Sequence, residues 1–517
     1  MLCFSYELER SKMQLINILI LLLILHTISL GGFHDPKNPQ SPEFDLTSKE
    51  LESHLRFLAS DELEGRYVGT QGNRLAARYI AEQFRLWGLR AAPEFKDFFQ
   101  DVPLVLQTLP SIGVITTDRT ELFHTTDFLL LSGEAQLDSS VVFAGHGLVD
   151  LELGIDDYEG LDVKDKLVVV KFGVPPLKSM SNKTQQTLHW SILKRSLASK
   201  RGAVGILEII PPNLWKYFSQ ELTRPRIVFK QDFESNRDEL FHALVLKFEE
   251  NLPEWKTLRV NVPSVQGKAQ FTSNVLGVIE GIDLELVDEY IIVTAHYDHL
   301  GKGLDLPEAT PKDFIFNGAR DNGMGVVALL AAAKSLATKK ARRPILFIAV
   351  TGEEQGLLGS SFYVNNPAIP LSDSMFVLNT DGAGFTHTNI VTIFGLMRTS
   401  AQNLIESACL PFGLKIFPEP SQNKDLFYRS DNLPFARKGI PSLTFSPGFL
   451  VMDDSIMRHY HRPSDEVSDD FDFDYLLRFS QAFSNTVRAL ANTEKTPVWL
   501  DGEEFKKAWY RLYLNKN

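Results

Sequence analysis

"IIVTAHYDHLGKG", residues 291–303, joins an apolar run to a polar end. Ile291 to Ala295 has the composition of a strand buried on both faces. The run finishes in His296, Tyr297, Asp298 and His299 before glycines break the pattern. Such an ending either caps a strand where it meets water or delivers ligands to a metal ion. His296 and Asp298 are two residues apart, so a strand that persists places both on one face and His299 on the other. On that geometry His296 is a candidate ligand. Asp298 is a candidate partner that accepts the second imidazole N–H and sets the tautomer, and His299 is expected to face away.

Working outward, residues from 274 alternate between strand and helix patterns. "NVLGVIEG", "RPILFIAVTGEE" and "MFVLNTDG" read as strands, and "NGMGVVALLAAAKSLATKK" and "LGSSFYVNN" as helices. Near-continuous apolar strands separated by helices predict an α/β fold with a mostly parallel twisted sheet flanked by helices. In such sheets ligands bind at the carboxyl ends of strands. Here those ends carry Asp321 in "ARDNG", Glu353 and Glu354 in "TGEEQG" and Asp381 in "NTDGAG", with a further polar site, "RHYHRPSDE", holding His459 and His461. A single acidic strand end is an ordinary cap or turn. Several on one rim repel one another, and a divalent cation with carboxylate and imidazole ligands removes that repulsion. Adjacent Glu353 and Glu354 diverge, so one is placed to bind metal and the other to take a proton from water. Hydrolysis needs that pairing of Lewis acid and general base. Competing signatures are missing: "TFSPGF" lacks the first glycine of a nucleophile elbow, and H-E-x-x-H, phosphate-loop and dinucleotide-loop patterns do not occur.

The chain has 517 residues, 44% hydrophobic and 23% charged, a globular composition long enough for several domains. Its formal net charge of -12 argues against a nucleic-acid partner, which would need a basic face. Arg10 and Lys12 precede the apolar run "LINILILLLIL" and the small residues of "HTISLGG", the pattern of a secretory leader over residues 1–32. The run is shorter than the roughly 20 residues of a membrane span, so no stable membrane insertion is expected beyond the leader. The expectation is a secreted or periplasmic protein, membrane-anchored if the leader stays. Cysteine occurs only as Cys3 and Cys409, so loss of the leader leaves no disulfide, and Cys409 reads as a small core residue. A polar linker is expected over 33–46 and a helical part of the main domain over 47–100. A mixed, β-rich insertion is expected over 101–265, the catalytic domain over 266–495 and a helical tail over 496–517. The insertion shows no clustered acids and histidines, so no catalysis is expected from it.

In order along the chain, "LASDELEGRYVGTQGNRLAARYIAEQF", "FAGHGL", "DDYEGLDVKDKLVVV", "HYDHLG", "DNGMG", "GEEQGLLGS", "NTDGAG", "RSDNLPFARKGIP" and "YHRPSDE" resemble exported zinc aminopeptidases of family M28 with an inserted protease-associated domain. The resemblance implies the zinc-peptidase, phosphorylase/hydrolase-like form of the fold and peptide or protein substrates. It also implies two Zn²⁺ ions bridged by Asp321, with His296 and Asp381 completing one site and Glu354 and His461 the other. Glu353 would be the general base, Asp298 the partner of His296, Tyr460 the oxyanion stabiliser and Arg429 a substrate contact. Departures from the family pattern are Arg320 before the bridge, Met324 after it and Asn432 where histidine is frequent. Glutaminyl cyclisation, carboxypeptidase action and a non-catalytic binding role remain alternatives on this fold.

Overall fold

The computed structural model describes residues 46–151, 154–175, 189–237, 239–246, 255–420, 425–469 and 471–514. The leader and the linker up to residue 45 lie outside them. No helix among the described residues is long and apolar enough to cross a membrane.

The apolar runs form one ten-stranded sheet. Its centre is four parallel neighbours, in the order Ile345–Val350, Tyr290–His296, Ser374–Thr380 and Ser442–Pro447. Leu346, Ile348 and Val350 pack with Tyr363 and Val364 of helix Leu358–Asn365 and with Phe435 of helix Asn432–Lys438. On the other face Phe347 meets Phe84 of helix Gln71–Leu86, and Phe445 meets Phe479 and Phe483 of helix Phe473–Asn492. Burying each such side chain contributes about 1.5–3 kcal/mol. The local signals act as read: Thr47 caps helix Ser48–Leu58, accepting the Glu50 N–H, and Gly88, at φ 74°, ends the turn after Gln71–Leu86.

The expectation of a mostly parallel sheet is corrected: the sheet is mixed. The chain leaves the first sheet along Phe99–Thr108 and returns along Gln266–Ile279, and the two strands pair antiparallel. Gln266–Ile279 also meets Ile345–Val350 antiparallel, and Ile390–Phe394 opposes Ser442–Pro447 at the far side. Unbroken hydrophobicity reports burial on two faces, which mixed and parallel sheets share.

Between the outgoing and returning strands lies a second, eight-stranded sheet. Its centre is Leu167–Lys171, Gly205–Ile210 and Phe241–Leu246, all parallel, packed through Leu167, Val169, Leu207, Phe241 and Val245. Arg226–Phe229, from the same stretch of chain, adds instead to the edge of the first sheet beside Phe99–Thr108. Cys409 is buried in helix Gln402–Cys409, where burial pushes its thiol up to about 12, so it is an inert core residue.

Candidate metal centre

The parallel centre of the sheet puts several chain ends at one rim. His296 is the last residue of its strand, in register with Val350, after which the turn through Gly352 presents Glu353 and Glu354. Asp381 follows Ser374–Thr380 directly. Asp321 sits in the turn before helix Met324–Thr338, where Asn322 donates to the Thr380 carbonyl at 2.9 Å. His461 follows the short helix Asp454–Met457 at φ 56°, a left-handed conformation that costs an ordinary residue roughly 1–2 kcal/mol.

These side chains converge on Asp321. Its Oδ1 lies 3.4 Å from His296 Nε2 and its Oδ2 3.2 Å from His461 Nε2. His296 Nε2 is also 3.1 Å from Asp381 Oδ1, and His461 Nε2 is 3.2 Å from Glu354 Oε2. Two overlapping donor groups result. One holds His296, Asp321 and Asp381, and the other holds Asp321, Glu354 and His299. His461 reaches the same two carboxylates of the second group. Asp321 is common to both. All donors are nitrogen or carboxylate oxygen, the set that suits zinc.

His299 corrects the reading of the sequence. The strand ends at His296, so the two-residue alternation does not extend to His299. The backbone turns, and His299 Nδ1 comes to 2.7 Å from Glu354 Oε1, while its ring packs against Gly318. Asp298 is buried, with Oδ1 3.8 Å from His296 Nδ1; the Asp298 backbone carbonyl is nearer, at 3.2 Å. Asp298 Oδ1 accepts the Glu353 N–H at 3.2 Å and so ties the strand end to the glutamate turn. Tyr460 stacks on His461, and Arg429 donates to the Tyr460 hydroxyl at 3.2 Å. Glu353, Arg429 and Tyr460 line one small cavity with Asp321, Glu354, Asp381 and His461. His459 turns away, to the Ser464 carbonyl at 2.8 Å.

Supporting residues are less visible in sequence. Ser430 donates to Asp381 Oδ2 at 2.5 Å, and Asn379 donates to Ser430 at 2.7 Å while accepting from Thr294 at 2.8 Å. Asn432 joins this buried network by accepting from Thr444 at 2.8 Å, which gives that departure a structural place. Buried Arg66, from "ELEGR", donates to the Tyr297 carbonyl at 2.7 Å and the Gly318 carbonyl at 2.9 Å, clamping the two loops that carry His296 and Asp321. Asp465 accepts the backbone N–H groups of Arg320 and Asp321 at 2.9 and 3.0 Å. Arg320 pairs with the same carboxylate at 3.3 Å and lies over Phe471, so its charge is directed at Asp465.

The charges are strongly coupled. Burial alone would lower the His296 and His461 imidazoles. For His296, Asp381 and Glu353 win and hold it well above its ordinary value; for His461, Asp321 and Glu354 raise it to about 10. Burial and Asp321 push Glu354 up, yet hydrogen bonds from His299 and His461 bring it down to about 2. Burial, joined by the nearby carboxylates of Asp381, Glu354 and Asp431, holds Glu353 well above the usual carboxylate range. Burial likewise lifts Asp298 to about 6 and Asp431 to about 7. This rim demands positive charge, and divalent cations between the same donors would meet that demand.

His299→Ala removes the donor that orients Glu354. A zinc titration is expected to show one equivalent weakened about 10–100-fold and the other little changed. His299→Asn, which keeps an N–H near Nδ1, should recover part of the loss; equal, unweakened binding by all three proteins would remove the positioning role.

Residues 274–487 match the model of peptidase family M28. Among curated proteins, a vacuolar membrane protease of Lachancea thermotolerans is 29% identical over 171 residues, 33% of this chain and 16% of its own length. An aminopeptidase of Bacillus subtilis, YwaD, is 28% identical over 200 residues, 38% of this chain and 40% of its own length. The chain therefore spans well under half the length of these relatives. Among solved structures, an aminopeptidase from an Aneurinibacillus species superposes with a TM-score of 0.51 at 18% identity, over 87% of this chain and 95% of that one, a likeness of fold. Residues 274–487 are thus similar to peptidase family M28, and both donor groups lie within that stretch.

Proposed function

We propose that this chain is a zinc aminopeptidase that removes residues from the N-termini of peptides, using two metal ions and Glu353 as general base. The observation that carries the reading is Asp321, whose two carboxylate oxygens reach toward different histidines, His296 and His461. His296 and Asp381 would hold one cation, Glu354 and His461 the other, and Asp321 both. When bound, the pair would supply the positive charge that acidifies water and polarises a carbonyl. Glu353 lies beside both donor groups with no role in either, placed to accept the proton from water and return it to the leaving amine. The Tyr460 hydroxyl, held by Arg429, is the donor for the developing oxyanion. Asp298 positions His296 and the Glu353 backbone. The name of the Bacillus relative supports exopeptidase action at the N-terminus.

The cavity beside these groups has a volume of about 60 Å³, and Ala383, Phe394, Leu426, Phe449 and Met452 form its apolar wall. A charged side chain packed against this wall would lose hydration there, whereas an apolar one would gain by burial. Metal-loaded protein is therefore expected to cleave leucyl and methionyl reporters at least tenfold faster in kcat/KM than glutamyl or lysyl ones. Elemental analysis should find zinc in the active preparation. A reporter panel that stays uncleaved, or a product that is only pyroglutamate from N-terminal glutamine, would replace this reading with another activity of the fold. The β-rich insertion over residues 101–265 is assigned as the protease-associated domain on motif resemblance. Export rests on the leader-like residues 1–32; fractionation of cells expressing the full chain tests it.

A further inference from the structure

The apolar wall of the cavity beside the metal centre is the inner layer of a larger packed cluster. Phe394, Leu426, Phe449 and Met452 line the cavity. The same four side chains pack in a cluster that continues through Phe427 to Trp499 and Phe505. Trp499 and Phe505 come from the C-terminal stretch of the chain, beyond residue 487, where the match to family M28 ends.

Backbone, rings and charge tie this stretch to the wall. Ser400 N–H donates to the Val498 carbonyl at 2.9 Å and Leu500 N–H to the Arg398 carbonyl at 2.8 Å, so residues 498–500 pair with a segment only a few residues past Phe394. Trp499 is buried, and its Nε1–H donates to the Gly439 carbonyl at 2.9 Å. The Phe427 ring centre lies 5.8 Å from that of Phe505 and 6.4 Å from that of Trp499, and those two are 5.2 Å apart. Gly395, at φ 84°, makes room for Phe427: a Cβ there would fall 2.5 Å from its ring. The Arg398 guanidinium sits 4.5 Å from the Phe427 ring centre and pairs with Glu503 of the C-terminal stretch at 2.7 Å. Together these contacts fix Phe427, the chain neighbour of the pocket-lining Leu426.

We propose that the C-terminal stretch, through Phe505 and Trp499, sets the depth of this cavity and so the size of apolar side chain that it accepts. The proposal deepens the peptidase reading and rests on it for what enters the cavity, the side chain of the substrate's first residue. Protein interiors are close-packed, and when a buried side chain is cut back its neighbours relax part of the way into the space. Shortening Phe505 therefore lets Phe427 draw back, and Leu426 with it, and the deepened cavity admits a larger side chain. Phe505 is neither among the residues lining the cavity nor in a donor group, so it acts as a positioning residue.

The test compares leucine with phenylalanine on the zinc-loaded full chain in two assays: kcat/KM for the two aminoacyl reporters, and calorimetric titration with the two free amino acids. Phe505→Ala is expected to move the phenylalanine-to-leucine ratio about tenfold toward phenylalanine. Phe505→Leu, the milder change, should move it less in the same direction, and zinc content should match the parent in both. Each ratio is taken within one preparation, so loss of folded protein cancels. A ratio that moves toward phenylalanine in neither assay, for either variant, overturns the proposal. Parent protein that cleaves neither reporter, yet binds the amino acids with a ratio that Phe505→Ala shifts, keeps the proposal and ends the peptidase reading. Parent protein that cleaves the leucyl reporter, with a ratio that both variants leave unmoved, does the reverse.

Discussion

Glu353→Gln is expected to lower kcat about 10²–10⁴-fold while leaving metal content, circular dichroism and thermal midpoint close to those of the parent. The substitution keeps the shape of the side chain and removes only its ability to take a proton. Glu353 belongs to neither donor group, so metal binding should survive. Its backbone N–H stays on Asp298, so the turn should hold its course. The carboxyl lies among Asp381, Glu354 and Asp431, which with burial hold its proton-binding tendency high. Bound cations would draw it back toward neutrality, where a general base works best. The measurement is single-turnover cleavage of a leucyl reporter by protein of verified zinc content. Undiminished turnover would move the base to another group.

Asp321→Asn is expected to weaken both metal equivalents together, with activity falling at least as far as in the base variant. The reason is the shared carboxylate: Oδ1 faces His296 and Oδ2 faces His461, so one residue belongs to both donor sets. An amide keeps the size, loses the charge and offers only one acceptor. The backbone should hold, because Asp465 grips the amides of residues 320 and 321 independently of the side chain. Zinc titration distinguishes the outcomes. Parallel loss supports a bridge. Retention of two tight equivalents would assign Asp321 to a supporting role and leave the cations with separate ligand sets.

Several residues of the candidate site were legible in the sequence because they stand where a readable pattern stops. His296 ends an apolar strand, Asp381 directly follows another, and Glu353 and Glu354 follow a third across a glycine turn. His299 was misread for a local reason: strand alternation was carried past the point where pairing ends, and a turn obeys no two-residue rule. The mixed character of the sheet was hidden because hydrophobic runs report burial and carry no strand direction.

What the sequence determined by itself is the periodicity of its elements and the chemical types at their ends, since propensity, capping and burial of side chains act over a few residues. What only the tertiary structure decided is which distant residues share a space. Arg66 clamps loops near residues 297 and 318, Asp465 holds the backbone at Asp321, and Glu208 meets His242 from the neighbouring strand. Those meetings follow from strand order and register, which are set by packing across the whole sheet and leave no mark in the neighbouring sequence.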